Sequence, residues 1–149
     1  MSSGWCSAVP DDVGAELDAQ AALAALRAVA QVARSTMELA AAEAPISTPE
    51  EAAAKDRTPG NLRRSARLVF IVNETEVDSE GAAAALVREL ALARRLYRVD
   101  AEIRFETPYA RWQHDNVRAR HEHGGKAKYL EHPIQIARPV LAQRLSGVV

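Results

Sequence analysis

The residues of this 149-residue chain whose types could do chemistry gather between positions 114 and 123. His114, Asp115, His121, Glu122 and His123 carry imidazole and carboxylate groups. These groups suit zinc, nickel or iron, and a spacing of two between histidines is workable for metal ligation. A metal there could activate water, which gives one hypothesis, a small metal-dependent hydrolase or nuclease. Short motifs often mislead, however, and histidines in polar surface loops usually bind nothing. We therefore predict no metal site.

The surroundings of these histidines favour a loop over a catalytic centre. Residues 114–126 are polar and charged, contain two glycines and show no apolar periodicity. Basic and aromatic residues interleave in and around this segment, as they do in proteins that bind nucleic acids. They are Arg111, Arg118, Arg120, Lys126 and Lys128, with Tyr109, Trp112 and Tyr129. The pI near 6.4 argues against a dedicated nucleic-acid binder, although a basic surface could still line a DNA channel or dock on an acidic partner.

Other signals of enzymes are absent from the sequence. The Thr-Pro-Gly-Asn motif at 58–61 lacks the second glycine and the lysine of a phosphate-binding loop, and Ser65 does not lie in a nucleophile elbow. Cys6 is the single cysteine, so the chain can form neither an internal disulfide nor a cysteine-based zinc site. We predict that the protein is not an enzyme and needs no cofactor.

Charge is unevenly distributed although the formal net charge is only −1. Residues 1–56 carry nine acidic and three basic side chains, and residues 57–149 carry eleven acidic and sixteen basic ones. The acidic first part and the basic second part could pair head-to-tail with other copies or with neighbours. They could equally be solvated faces whose charges happen to differ.

No stretch reaches the ~20 apolar residues of a membrane span, and the N-terminus does not resemble a signal peptide. The sequence thus predicts a soluble protein, cytosolic when made.

The pattern along the first third of the chain predicts an arm and one long helix. We interpret residues 1–10 as a flexible arm and residues 11–149 as a single domain. From Asp11 or Asp12, a good N-cap, to about Ala44, apolar residues recur at steps of three and four. At ~1.5 Å per residue such a helix spans roughly 50 Å. Part of its alanine-rich stripe should therefore rest on another helix or on another subunit. This stripe comprises Leu23, Leu26, Ala30, Ala33, Met37, Ala40 and Ala44, flanked by Val29, Val32 and Leu39.

The rest of the chain predicts short helices and strands. Pro45 should end the long helix, and the Thr-Pro-Glu-Glu motif at 48–51 reads as the start of a short helix. The apolar run at 68–72 predicts a strand buried on both faces, and the alternation at 99–105 predicts a strand with one wet face. A helix is expected at 79–97, and a last helix from about 127–130 with interruptions at Pro133 and Pro139. The predicted fold class is α+β, with a long N-terminal helix and shorter helices packed on a small antiparallel or mixed sheet.

Three segments in a fixed order carry a resemblance to a known family. They read Thr-Pro-Gly-Asn-Leu-Arg-Arg-Ser at 58–65, Thr-Pro-Tyr-Ala-Arg-Trp-Gln-His at 107–114 and Gly-Lys-Ala-Lys-Tyr-Leu-Glu at 125–131. With the long helix before them, they resemble the minor capsid, tail-completion or head–tail joining proteins of siphophages. Pro59 stands where the family usually has Thr-Gly directly, and residues 79–97 are longer than the family's usual connection between strands.

The resemblance implies a structural virion protein of the phage neck. Its subunits would form a ring, sixfold by analogy, that joins the head connector or stopper to the tail terminator or tail tube. Non-specific DNA could pass through the channel, no membrane is involved, and assembly takes place in the host cytoplasm. The candidate subunit-interface residues are Met37, Arg63, Arg64, Arg111, Trp112, His114, Arg118, Arg120, Lys126 and Lys128.

Overall fold

The computed structural model describes residues 11–45, 61–107, 110 and 129–147. The short helix predicted to start at 48–51, the loop at 114–126 and the N-terminal arm at 1–10 lie outside these residues. Within the described residues the elements are α1 (Asp11–Glu43), α2 (Asn61–Arg64), β1 (Ala66–Val72), β2 (Thr75–Val77), α3 (Glu80–Leu92), β3 (Val99–Phe105) and α4 (Glu131–Ser146). The α+β class with a long first helix is confirmed, and the sheet is antiparallel.

Helix α1 forms the spine of the fold. It is 33 residues long, or ~50 Å, and it packs against α3, α4 and the sheet. Two ion pairs join α3 to α1. The terminal nitrogens Nη1 and Nη2 of Arg88 donate to the Glu16 carboxylate at 3.0 and 2.9 Å, and Arg34 pairs with Glu80. The order of these partners along the two helices shows that α3 runs antiparallel to α1. The predicted need for other helices along α1 is therefore met, at least in part, within the chain itself.

The sheet has the strand order β2-β1-β3, with β1 in the centre. One face of the sheet packs on α1 and α3 to form the larger core, which we call the first cluster. The second face is charged. The first cluster contains Ala19, Ala22, Leu26 and Ala30 of α1, Phe70 and Val72 of β1, and Ala83, Val87 and Ala91 of α3. Because alanine dominates the helices, their backbones approach the sheet closely.

The second face of β1 is also buried at its centre, as the sequence predicted. Val69 is fully buried, and the register of the strands gives one reason. Arg104 of β3 lies opposite Arg67, and Glu76 of β2 lies opposite Ile71, so the ion pair between Arg104 and Glu76 crosses β1 over Val69. The aliphatic part of an arginine can cover apolar surface while its charged end stays in water.

Helix α3 is shorter than predicted. It begins, as expected, after Ser79, whose side chain accepts a hydrogen bond from the Ala82 amide at 3.1 Å. It ends at Leu92 rather than near Tyr97, because Arg94 adopts a left-handed conformation with φ of 53°. The amides of Arg94 and Arg95 then donate to the carbonyls of Ala91 and Leu90, the pairings of a Schellman motif. Glycine usually occupies the position that Arg94 has here, so no residue type in this segment indicates that the helix ends.

Helix α4 continues through both prolines that were expected to interrupt it. Pro133 is the third residue of the helix, where an amide would have no acceptor within the helix, so proline costs little. Pro139 lies inside the helix and removes one backbone hydrogen bond. Packing against α1 keeps the helix intact to Ser146.

Candidate functional site

The three segments that carry the family resemblance contribute to one small cluster, which we call the second cluster. It lies where α1 ends and consists of Ala44, Leu62, Ala110 and Tyr129, with Phe105 and Leu130 packed against it. Leu62 comes from the first motif, Ala110 from the second, and Tyr129 with Leu130 from the third. Residues far apart in the sequence thus meet in space, and each motif contributes at least one residue to the cluster.

Tyr129 is the centre of the second cluster. Its side chain is 1% exposed, and its ring meets that of Phe105 edge-on, with 4.9 Å between centroids and an angle of 72° between planes. Its hydroxyl donates a hydrogen bond of 2.9 Å to the Ala110 carbonyl. A buried tyrosine of this kind cannot stack on a nucleic-acid base, so this part of the nucleic-acid hypothesis is wrong for Tyr129. Ala110 is buried as well.

Arg63 forms a hydrogen bond at the C-terminal end of α1. Its Nε donates to the Ala44 carbonyl at 2.7 Å, which supplies a donor and a positive charge where the last carbonyls of a helix lack partners. Arg63 is one of the candidate subunit-interface residues, and in the structure its Nε bonds a carbonyl of its own chain. Arg64 is exposed at the end of α2, and Met37 is half-buried on α1.

A histidine and a carboxylate join α1 to α4 beside the second cluster. Nδ1 of His132 lies 3.1 Å from Oε1 of Glu43. At the other end of α4, Arg144 donates to the side chain of Gln31 at 2.7 Å. The two contacts show that α4 runs antiparallel to α1 and that its first turn is fixed to the end of α1.

Helix α4 exposes apolar residues on both sides of its contact with α1. On its outer side, Ile136 and Val140 are 45% and 40% exposed and line a shallow groove with Leu39 of α1. On its inner side, Ile134, Leu141 and Leu145 face β3 across a trough of about 490 Å³ whose floor is α1. We call these the outer groove and the inner trough. Contiguous apolar surface of this kind is typical of interaction sites.

The charged face of the sheet contains a connected set of ion pairs. Arg104 contacts both Glu76 and Glu102, at 2.6 and 2.8 Å. Hydrogen bonding to Arg104 lowers the pKa of Glu76, and hydrogen bonding to Glu76 and Glu102 raises the pKa of Arg104. On the helix side, hydrogen bonding to Arg88 lowers the pKa of Glu16. These side chains are at least partly exposed and bond one another, which is typical of a solvated charged face.

Most of the predicted interface residues lie outside the described part of the chain. This applies to Arg111, Trp112, His114, Arg118, Arg120, Lys126 and Lys128, and to the five residues of the metal hypothesis. Among the residues that are described, no three His, Cys, Asp or Glu side chains come close enough to hold a metal. None of the helices described has the length and apolarity to cross a membrane.

The sequence interpretation missed the apolar sides of α4. Ile134, Ile136 and Val140 follow a helical spacing with Leu141 and Leu145, which is the signal that could have found them. The two prolines concealed this spacing, because a helix broken at Pro139 would not have aligned these residues.

Comparison of the chain with protein-family models, with curated proteins and with solved structures gave no match.

Proposed function

We propose that this chain is a structural subunit of the neck of a long-tailed bacteriophage. In this role it forms a ring, sixfold by analogy with the family it resembles, that joins the head connector to the tail. It is a virion protein of the tail-completion or head–tail joining type, and it makes and breaks no bond. The proposal rests first on the order of the three motifs in the sequence.

The observation that best supports the proposal is the meeting of these motifs in the second cluster. Each of the three short motifs could occur by chance, and their order in the sequence does not show whether they meet in space. In the structure, Leu62, Ala110 and Tyr129 pack together, so the described parts of the motifs form one structural unit. A unit of this kind is expected if the motifs preserve a common architecture.

The apolar surface of α4 gives the proposal its binding mechanism. The apolar residues of α4 cover about half of its circumference, because 100° separates successive residues. α1 covers the middle of this arc at Pro133 and Ala137, which leaves the outer groove on one side and the inner trough on the other. A subunit that works only in a ring has neighbours on two sides to cover such surfaces.

A paired substitution on α4 tests the ring. Ile136 and Gln135 are adjacent and both exposed, and only Ile136 lines the outer groove. Ile136→Glu places a charge in the apolar surface, so we expect it to abolish ring assembly and incorporation into particles. Gln135→Glu adds the same charge on a different side of the helix and should assemble as the parent does. Native mass spectrometry and protein analysis of purified particles measure the two outcomes.

The folded state of both variants must be checked before their assembly is compared. Equal helical content and equal thermal midpoints would show that Ile136→Glu acts on assembly alone, since Ile136 contributes little to the core. Normal incorporation of Ile136→Glu would exclude the outer groove as a subunit contact. Absence of the parent chain from purified particles would reject the proposed function itself.

A further inference from the structure

Leu96 is the most exposed large apolar side chain in the described part of the chain. It is 98% exposed and lies in the link at 93–98, which joins α3 to β3. A single exposed apolar residue is common on protein surfaces and needs no explanation by itself. Leu96 differs from such residues because the backbone on both sides of it is fixed.

Hydrogen bonds hold both ends of this link. Before Leu96, the Arg95 amide donates to the Leu90 carbonyl at 2.9 Å. After Leu96, the Asn73 amide donates to the Arg98 carbonyl at 2.8 Å, and the Arg98 amide donates to Oδ1 of Asn73 at 2.9 Å. The backbone at Leu96 is therefore already ordered, so binding of its side chain costs little further conformational entropy.

The outer groove has the size and the lining to take one such side chain. Its volume is about 120 Å³, and its walls include Val32 and Leu39 of α1 and Pro133, Ile136 and Val140 of α4. An apolar cavity of roughly 150 Å³ holds a molecule the size of benzene. The outer groove therefore fits a single branched aliphatic side chain rather than a whole helix.

The charges beside Leu96 and beside the groove are complementary. Arg95 is exposed next to Leu96, and Glu38 is exposed on the turn of α1 that lines the groove. Neither of these two side chains has a partner among the residues that the structure describes. Arg144 also lines the groove, but its guanidinium is already bonded within the chain. An arginine next to the leucine can thus meet an unpaired carboxylate next to the groove.

Leu96 and the outer groove are two different surfaces of the same chain, since no residue of the link at 93–98 lines the groove. Contact between two different surfaces of identical subunits is head-to-tail, and it produces rings or open filaments. We propose that in the ring Leu96 of one subunit inserts into the outer groove of the next subunit. This inference rests on the proposed ring and names the side chain that fills the outer groove.

Mixing two variants tests the polarity of this contact. Leu96→Glu removes the inserted side chain and keeps the groove, whereas Ile136→Glu blocks the groove and keeps Leu96. Each variant alone should be monomeric in native mass spectrometry and in sedimentation velocity. An equimolar mixture should give a dimer with one chain of each variant, because one intact contact forms and neither free end can add a subunit. Ala85→Glu is the control: Ala85 is exposed on α3, outside the link and the groove, so this variant should assemble as the parent does.

Each outcome of the mixing supports or rejects the proposal. Mixed dimers, with monomers from each variant alone, support it. Homodimers from either variant alone would show that like surfaces meet and would reject the head-to-tail contact, as would rings from Leu96→Glu. A mixture that stays monomeric would also reject the contact, and the presence of the parent chain in purified particles would then still support the proposed function. Mixed dimers together with absence of the parent chain from particles would reject the proposed function and retain the contact.

Two conservative changes at position 96 provide a second measurement that adds no charge. Each is made in the Ile136→Glu chain, and Leu96→Glu is the binding partner. Leu96→Met keeps an aliphatic side chain of similar size, so the mixed dimer should form as before. Leu96→Ala truncates the side chain and should raise the dissociation constant of the mixed dimer about tenfold. Equal dissociation constants for the two changes, at equal thermal midpoints, would reject insertion into the groove.

Discussion

The two clusters of buried residues differ in how they are built. The first cluster consists of alanine, leucine, valine and phenylalanine from long regular elements, and it contains no polar side chain. The second cluster is smaller and depends on specific bonds: the Tyr129 hydroxyl bonds the Ala110 carbonyl, and Arg63 bonds the Ala44 carbonyl beside it. The first cluster thus derives its stability from area removed from water, and the second from the fit of a few groups.

This difference suggests a hypothesis about what each cluster does. Apolar periodicity can form the first cluster in many sequences, so it carries no information about a family. The second cluster uses a tyrosine, a small residue and an arginine at defined places, and these residues lie in the three sequence motifs at 58–65, 107–114 and 125–131. We infer that the first cluster makes the domain stable and that the second arranges the segments that follow it for contact with neighbours.

Removing the largest side chain of the first cluster should have the largest effect on stability. Phe70 is 2% exposed, and Phe70→Ala is expected to lower the free energy of unfolding by about 3–5 kcal/mol. Urea denaturation followed by circular dichroism measures it. Tyr97→Ala removes an aromatic ring that is 39% exposed and should change stability little. Equal losses from both variants would contradict the first cluster as the main source of stability.

A single-atom change in the second cluster should have a smaller and more local effect. Tyr129→Phe keeps the contact with Phe105 and leaves the Ala110 carbonyl without its donor, which is expected to cost about 1–3 kcal/mol. Hydrogen exchange should rise in α2 and in the first turn of α4 and stay unchanged in α3. A uniform rise across all three helices would show that the two clusters unfold as one unit.

Removing the arginine at the end of α1 should have a still smaller effect. Arg63→Met keeps the length of the side chain and removes the hydrogen bond to the Ala44 carbonyl, so we expect a loss of about 1 kcal/mol. Arg27→Met, at an exposed position of α1, is the matched control and should be neutral. If the two variants have the same thermal midpoint, Arg63 does not stabilise the end of α1.

The charged face of the sheet should have the smallest effect, and that effect should disappear in acid. The pKa of Glu76 is lowered in the folded state, so its contribution to stability is present above the ordinary carboxyl pKa and is lost as the pH falls through the lowered value. Glu76→Gln should therefore lower the thermal midpoint slightly at neutral pH, and its difference from the parent should disappear at low pH. A difference between the two proteins that stays the same in acid would show that the charge of Glu76 does not contribute to stability.

Much of the fold could be predicted from the sequence because regular patterns determine it. The bounds of α1, the strand at 99–105 and the cap at Ser79 follow from periodicity and from side chains that bond their own backbone. The end of α3 could not be predicted, since Arg94 adopts a conformation that the sequence associates with glycine. The continuation of α4 through Pro133 and Pro139 was also not predicted. Local rules for proline consider only the helix itself, whereas packing against α1 keeps this helix intact.

The candidate site was predictable only in part. The motifs identified Arg63 and Ala110, but their order does not show that Leu62 and Tyr129 meet across 67 positions. Contacts between distant residues depend on the whole fold, and a single sequence does not contain that information in a local form. For the same reason the inner trough, which combines α1, β3 and α4, has no counterpart in any one motif.

Electron cryo-microscopy of the neck in intact particles tests the central claim most directly. If this chain joins head to tail, a closed ring of its density should lie between the connector and the tail tube, with α4 of each subunit at the contact with the next. The second cluster should be visible at the end of each long α1. A neck whose density is fully explained by other chains, with this chain absent from purified particles, would contradict the account.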